Sequence, residues 1–153
     1  MTPADEMAIH YQLEQLEIAY WRDVDANWGA EAHGFFVEDG VFDMGMGSKP
    51  HRGRAAVQHF YAWRKSRGAR VARHLIANFQ ARVKSPREAS SLCIMSLYAA
   101  DGEPILPSKP PIMIADVVSE CVRGDDGAWR FRSRALIPIF TGGEAATIMP
   151  DEN

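Results

Sequence analysis

The stretch RVARHLIANF, residues 70–79, decides how the chain folds. Extended, it sends His74, Ile76 and Asn78 to one face and Leu75, Ala77 and Phe79 to the other. Both faces are at least partly apolar, whereas a half-exposed surface strand would give one side to charge. The segment is therefore expected to be a strand covered on both sides. That makes His74 a buried imidazole in need of a partner, either a structural group satisfied within a core or a working group in a pocket.

Before this stretch the periodicity is helical. Thr2 can cap, Pro3 suits a first turn, and Ile9, Leu13, Leu16, Tyr20 and Val24 recur at helical spacing, which predicts a helix over 3–28. A short second helix is expected in GAEAHGFFVED (29–39), then a strand in GVFDMGM (40–46) and a loop in GSKPHRG (47–53). A third helix, GRAAVQHFYAWRKSRG (53–68), buries Val57, Phe60, Tyr61 and Trp63 and stops at Gly68.

After position 70 the pattern is of strands, at 70–83, 88–100, 112–122 and 128–140. They are divided by KSPR (84–87), the proline-rich DGEPILPSKPP (101–111) and RGDDG (123–127). Helices first and hairpin-linked strands after predict an α+β domain, a cone-shaped, curved antiparallel sheet with three helices on its concave side. The tail, 141–153, reads as loosely held beyond a core of about 8–140.

At 153 residues the chain suits one domain spanning 1–153. Its net charge of −3 gives no overall reason to bind nucleic acid, and the local run Arg52, Arg54, Arg64, Arg67, Arg70 and Arg73 reads as a solvated helix face. Cys93 and Cys121 fall in apolar strands without metal or disulfide spacing and read as core. No apolar run approaches the roughly 20 residues of a membrane span, and the acidic first residues lack the apolar centre of a leader, so a cytoplasmic protein without membrane partners is expected.

The order of elements, together with YWRDVD (20–25), FFVEDGVFDMG (35–45), HRGRAAV (51–57), RHLIAN (73–78) and WRFRSRAL (129–136), resembles the SnoaL-like branch of the nuclear transport factor 2-like superfamily over about residues 8–140. Members with known chemistry include scytalone dehydratase, hexachlorocyclohexane dehydrochlorinase and bile-acid 7α-dehydratase. The resemblance implies a cone holding a His–Asp pair. Asp25 matches the carboxylate near the end of the first helix, Tyr20 the Lys or Tyr five residues earlier, His74 and Asn78 the H-x-x-x-N pattern, and Arg134 the Arg five residues after a Trp, here Trp129.

In that reading His74 is a general base oriented by Asp25, Tyr20 donates to a leaving oxygen, and Arg134 holds developing negative charge. On a straight helix Asp25 falls off the Ile9–Tyr20 stripe, which leaves Asp23 as an alternative partner. Trp21, Trp28, Phe35, Met44, Met46, Met95 and Tyr98 could line an apolar pocket with Asn78. Asp116 joins them if the last hairpin pairs Asp116 with Arg134 and Glu120 with Arg130, where it would either orient Arg134 or form an ordinary ion pair. Asp43 stands either at the pocket mouth or on a solvated strand edge.

His10, His33, His51 and His59 show no metal-ligand spacing, and no phosphate-loop, dinucleotide or nucleophile-elbow motif occurs, so neither metal nor cofactor is expected. The expected function is a cofactor-independent lyase or isomerase, dehydratase-like, acting on a hydrophobic cyclic oxygenated molecule. The alternatives are a noncatalytic binding module such as a ring-hydroxylating dioxygenase small subunit, a polyketide cyclase or an epoxide hydrolase. The apolar outer faces of the strands, with Leu75 and Ala77 in one and Leu92, Ile94 or Cys93, Met95 in the next, predict a homo-oligomer, dimer or trimer.

Overall fold

A computed structural model describes residues 1–142 together with 149 and 150. Helix α1 (Pro3–Asn27) leads into a short 3-10 turn (Ala32–Phe35), followed by β1 (Phe36–Asp43), β2 (His51–Arg52), α2 (Arg54–Ser66), β3 (Arg70–Ser85), β4 (Glu88–Asp101), β5 (Met113–Arg123) and β6 (Trp129–Thr141). The strands form one curved sheet in the order β2-β1-β6-β5-β4-β3. Strands β3 to β6 are successive antiparallel neighbours.

Two details depart from the expected cone. The second of the three expected helices is only the 3-10 turn, and β1 begins at Phe36, not at Gly40. Gly34 weakens a helix there, and the Phe35-Phe36-Val37 run prefers an extended backbone. Also, β1 runs parallel to β6 while pairing antiparallel with β2. It arrives from the helical layer and not through a hairpin, so nothing obliges it to reverse direction against β6.

Helix α1 starts with a reciprocal cap. The Thr2 hydroxyl accepts from the Asp5 amide, and the Asp5 carboxylate accepts from the Thr2 amide at 2.7 Å. Its buried residues are Ile9, Leu13, Glu17, Tyr20 and Trp21, a broader arc than the expected stripe. Tyr20 of that arc packs edge-on to Phe131 of the sheet, and Trp21 stacks on His74 of β3. The helix, unbroken to Asn27, brings Asp25 to β3. The helix stops where Trp28 (φ 58°) and Gly29 (φ 69°) adopt left-handed backbone. A Cβ on Gly29 would lie 2.4 Å from the Tyr61 ring, so this corner needs glycine.

The stretch 70–79 is extended as expected, but its alternation breaks. Asn78 takes φ 53° within a bulge between Ala77 and Gln80. The extra residue returns the inward direction to odd positions. Ile76 before it, and Phe79, Ala81 and Val83 after it, all pack on the core, while Leu75, Ala77, Asn78 and Gln80 are exposed. Phe79, expected on the face opposite His74, is therefore an inner residue, edge-on to His10.

The last hairpin also differs from expectation. Arg123 pairs with Trp129, and a register shift follows between Glu120 and Cys121. Ser119 consequently faces Arg134, Asp116 faces Ile137 and Glu120 faces Ser133. Much of the tail expected to be loose, 143–148 and 151–153, lies outside the described residues. Among the described residues no helix is long and apolar enough to cross a membrane.

Candidate active site

A cavity of about 110 Å³ opens between the concave face of the sheet and the two helices. Trp21, Val24, Asp25 and Trp28 of the α1 end, Phe60, Tyr61 and Arg64 of α2, and Arg70, Ala72 and His74 of β3 line it. Phe42, Met44, Met95, Leu97, Met113 and Leu136 close the rest. Arg70, Ala72 and His74 are alternate residues of one strand and so share its inner face.

His74 and Asp25 meet twice. The imidazole Nδ1 lies 2.6 Å from Asp25 Oδ1, and the His74 amide donates to Oδ2 at 2.8 Å. An ionised carboxylate only accepts, so Nδ1 carries the proton and Nε2 is left as the basic nitrogen. The Trp21 indole stacks on the imidazole at 3.9 Å between centroids and 12° between planes. Burial pulls the His74 pKa below its ordinary 6.5, against the opposing pull of Asp25, so the ring is neutral at pH 7. Asp23, the alternative partner, instead accepts from the Asn27 side chain and the Glu31 amide and holds the turn after α1.

Behind Trp21 stands a buried ion pair. Arg134 Nη1 and Nη2 donate to the two Glu17 oxygens at 2.6 and 2.5 Å, and Nη1 also reaches Ser119 Oγ at 3.2 Å. Glu17 accepts from the Trp21 indole at 2.7 Å as well. The guanidinium lies 4.9 Å from the Trp21 ring and 4.5 Å from those of Tyr20 and Phe131. Burial opposes both charges, yet each partner outweighs it: the Glu17 pKa is lowered and that of Arg134 raised, so both stay ionised.

The positions expected from sequence thus divide. His74, Asp25, Trp21, Trp28, Met44 and Met95 line the cavity. Tyr20 does not: it is fully buried among Phe35, Phe36, Phe42 and Phe131, and its hydroxyl meets that of Tyr61 at 2.5 Å. Tyr61 lines the cavity in its place, with its hydroxyl held by that of Tyr20. Arg134 does not reach the cavity either, because Glu17 holds both ends of its guanidinium. Phe35 packs within the aromatic core. Asn78 and Tyr98 are exposed, and Asp116 is half-buried on the outer face opposite Ile94 and Ile137. Asp43 caps its own turn, accepting from the Gly45 amide at 2.8 Å.

Sequence reasoning missed Glu17, Tyr61, Arg64 and Arg70 as members of this region. Glu17 carried a signal, since it stands four residues after Leu13 and four before Trp21 on a buried arc where a lone charge requires a partner. Arg64 and Arg70 were hidden in a basic run that reads as solvated. Among the described residues no group of three His, Cys, Asp or Glu side chains is gathered to hold a metal ion.

The pattern of the SnoaL-like domain matches residues 5–135. The chain belongs to the SnoaL-like family. Among solved structures, this SnoaL-like chain is similar to a candidate scytalone dehydratase from Novosphingobium aromaticivorans, with TM-score 0.82 and 19% identity over 96% of this chain and 95% of that one. It is also similar to ActVI-ORFA from Streptomyces coelicolor, with TM-score 0.72 and 16% identity over 86% and 98%. An NTF2-like protein with a cystatin-like fold from Novosphingobium aromaticivorans gives TM-score 0.69 and 15% identity over 87% and 83%. At these identities the likeness is one of fold. No curated protein matches the chain.

Proposed function

We propose that this SnoaL-like protein is a cofactor-independent lyase or isomerase that removes a proton from carbon in a hydrophobic, cyclic, oxygenated small molecule and, in the dehydratase case, expels water. The observation that carries the reading is the 2.6 Å contact of His74 Nδ1 with Asp25 at the wall of an apolar cavity. A neutral imidazole with its tautomer fixed presents Nε2 as a base, and the carboxylate stabilises the imidazolium that forms.

In the proposed dehydration, Nε2 takes the proton from the carbon next to a ring carbonyl, and the C–H electron pair becomes part of an enolate. The enolate electrons then form the new C=C bond as the β-hydroxyl departs, protonated to water by the Tyr61 hydroxyl. The imidazolium proton returns through the site to the Tyr61 oxygen, so both groups end as they began. Burial, reinforced by Tyr20, raises the Tyr61 pKa, which keeps the phenol protonated and available as a donor. In this scheme Tyr20 acts through Tyr61, and the Glu17–Arg134 pair acts through Trp21 by fixing the indole on which His74 rests.

The test is to incubate the protein with cyclic β-hydroxyketones in D2O. Conversion to the conjugated enone, or deuterium entering the α-carbon, is expected without added cofactor and should be lost in His74→Ala. Undiminished conversion by His74→Ala would overturn the reading. So would failure of the wild-type protein to exchange or eliminate across a panel of such ketones.

A further inference from the structure

Trp28 stands where a helix end ordinarily carries glycine or asparagine. Its backbone is left-handed, with φ 58°, a conformation that a bulky side chain takes up only at a cost. The corner is pinned on both sides of it. The Gly29 amide donates to the Asp23 carbonyl at 3.1 Å, a Cβ on Gly29 would strike the Tyr61 ring, and the Asp23 carboxylate accepts from the Asn27 side chain and the Glu31 amide. Trp28 so held is 36% exposed. Among the described residues its indole makes no hydrogen bond and meets no other ring.

The remaining rings of the cavity wall are engaged within the protein. Trp21 stacks on His74, Phe42 and Tyr61 meet Tyr20, and Phe60 meets Tyr61. Trp21, Val24, Asp25 and Trp28 line the cavity at the spacing of one helix face. Trp28 lies about 10 Å along the axis from Trp21 at the usual rise, at the far end of this face from the indole that carries His74. A molecule whose reacting carbon is at His74 and which extends along this face brings its remote part against Trp28. An indole offers a broad apolar π-face, suited to a flat ring or to a cation. The one carboxylate lining the cavity is Asp25, and His74 engages both of its oxygens, so a cation would enter apolar surroundings without a counter-charge. A flat, uncharged ring fits.

We propose that Trp28 is a specificity-determining residue whose indole stacks on a flat, unsaturated ring of the substrate, remote from the carbon on which His74 acts. This rests on the cavity being the substrate site, as proposed above, and adds that the substrate is planar where it meets Trp28. A saturated, puckered ring of the same size touches the indole at fewer points and has no π-face to set against it, so it binds more weakly. The cost of the left-handed corner is then offset in the complex.

The test is calorimetric and needs no turnover. 2-Naphthol and decahydro-2-naphthol share a skeleton and a hydroxyl and differ in planarity. Titrated into the full chain at pH 7.5, the naphthol is expected to bind about 2- to 10-fold more tightly, the range of one aromatic stack. In Trp28→Leu that preference should be lost while affinity for the decahydronaphthol is kept, and in Trp28→Phe most of it should remain. Thermal unfolding checks that both variants stay folded. Nuclear Overhauser contacts between the naphthol ring protons and the Trp28 indole, measured on the wild-type chain, give the same test without a substitution. Equal affinity for the two ligands, absence of binding by both, a preference that survives in Trp28→Leu, or absence of those Overhauser contacts would overturn the role. A Trp28-dependent preference in a protein that neither exchanges nor eliminates across the ketones would leave the stacking role standing and refute the lyase reading.

Discussion

At the scale of single residues, His74 and Asp25 are joined by two contacts, and the proposed function makes them a base and its orienter. Once a substrate is in hand, His74→Ala should lower turnover by about 10²- to 10⁴-fold, the usual contribution of general base catalysis. Steady-state kinetics would show it, and retained activity would remove His74 from the mechanism. The same ring affects stability. Its folded pKa lies below the 6.5 of an unperturbed imidazole. The unfolded chain therefore gains the proton first as pH falls, so stability present above about 6.5 is lost as pH drops through the folded pKa. A buried His74 was legible in the residues, because it sat in a strand apolar on both faces, whereas its pairing with Asp25 came from the resemblance, the helical wheel having left Asp23 as an alternative. The roles of Tyr20 and Arg134 were not. A stripe position shows that Tyr20 is buried, but only the packing shows that Tyr61 stands between it and the cavity and that Glu17 has taken Arg134.

At the scale of elements, one unbroken helix brings Asp25 to His74, and one inserted residue in β3 decides which later residues of that strand reach the core. The order of helices and strands was readable from periodicity, and the long strands fell within two residues of their expected limits. The bulge at Asn78 was not readable, because Asn in a strand pattern does not announce a positive φ. It reverses which residues after position 77 reach the core. Asn78→Val should therefore destabilise the fold by about 1–2 kcal/mol, the cost of left-handed backbone for an L-residue, here with a β-branched side chain. Asn78→Gly should be tolerated. Urea unfolding distinguishes the two, and equal stability would mean that the bulge can be rebuilt elsewhere. For α1 the matching test is Glu17→Gln, which leaves the buried Arg134 charge without its counter-ion. A loss of about 3–5 kcal/mol is expected from the same measurement, and a loss under 1 kcal/mol would mean that Arg134 finds another partner.

At the scale of the whole molecule, the outer face of the sheet stands against the inner one. Leu75 (54% exposed), Leu92, Val118, Ile137 (47%), Ile139 (53%) and Phe140 (65%) run across β3 to β6, and no described element covers them. The register sets Ala77, Ile94, Asp116 and Ile137 in one row across four strands, with a single charged group among them. We propose that a second copy of the chain covers this face, since a broad apolar sheet surface of this kind is costly to leave in water. Light scattering at micromolar concentration should give a multiple of 17.1 kDa, and Ile137→Lys should reduce it to the monomer while circular dichroism stays unchanged. A stable, monodisperse 17.1 kDa wild-type species would contradict this assembly. The sequence pointed to an apolar outer surface but mixed its members, because the bulge and the last hairpin decide which residues belong to it.

Nitrogen-15 NMR of the imidazole reads most directly whether His74 is a neutral ring with Nδ1–H given to Asp25. In the wild-type protein at pH 7 the spectrum should show a protonated Nδ1 and a bare Nε2, titrating with a midpoint below 6.5. In Asp25→Asn the midpoint should fall further, since the contact that favours the charged ring is gone. A His74 that is charged at pH 7, or one carrying its proton on Nε2, would contradict the account.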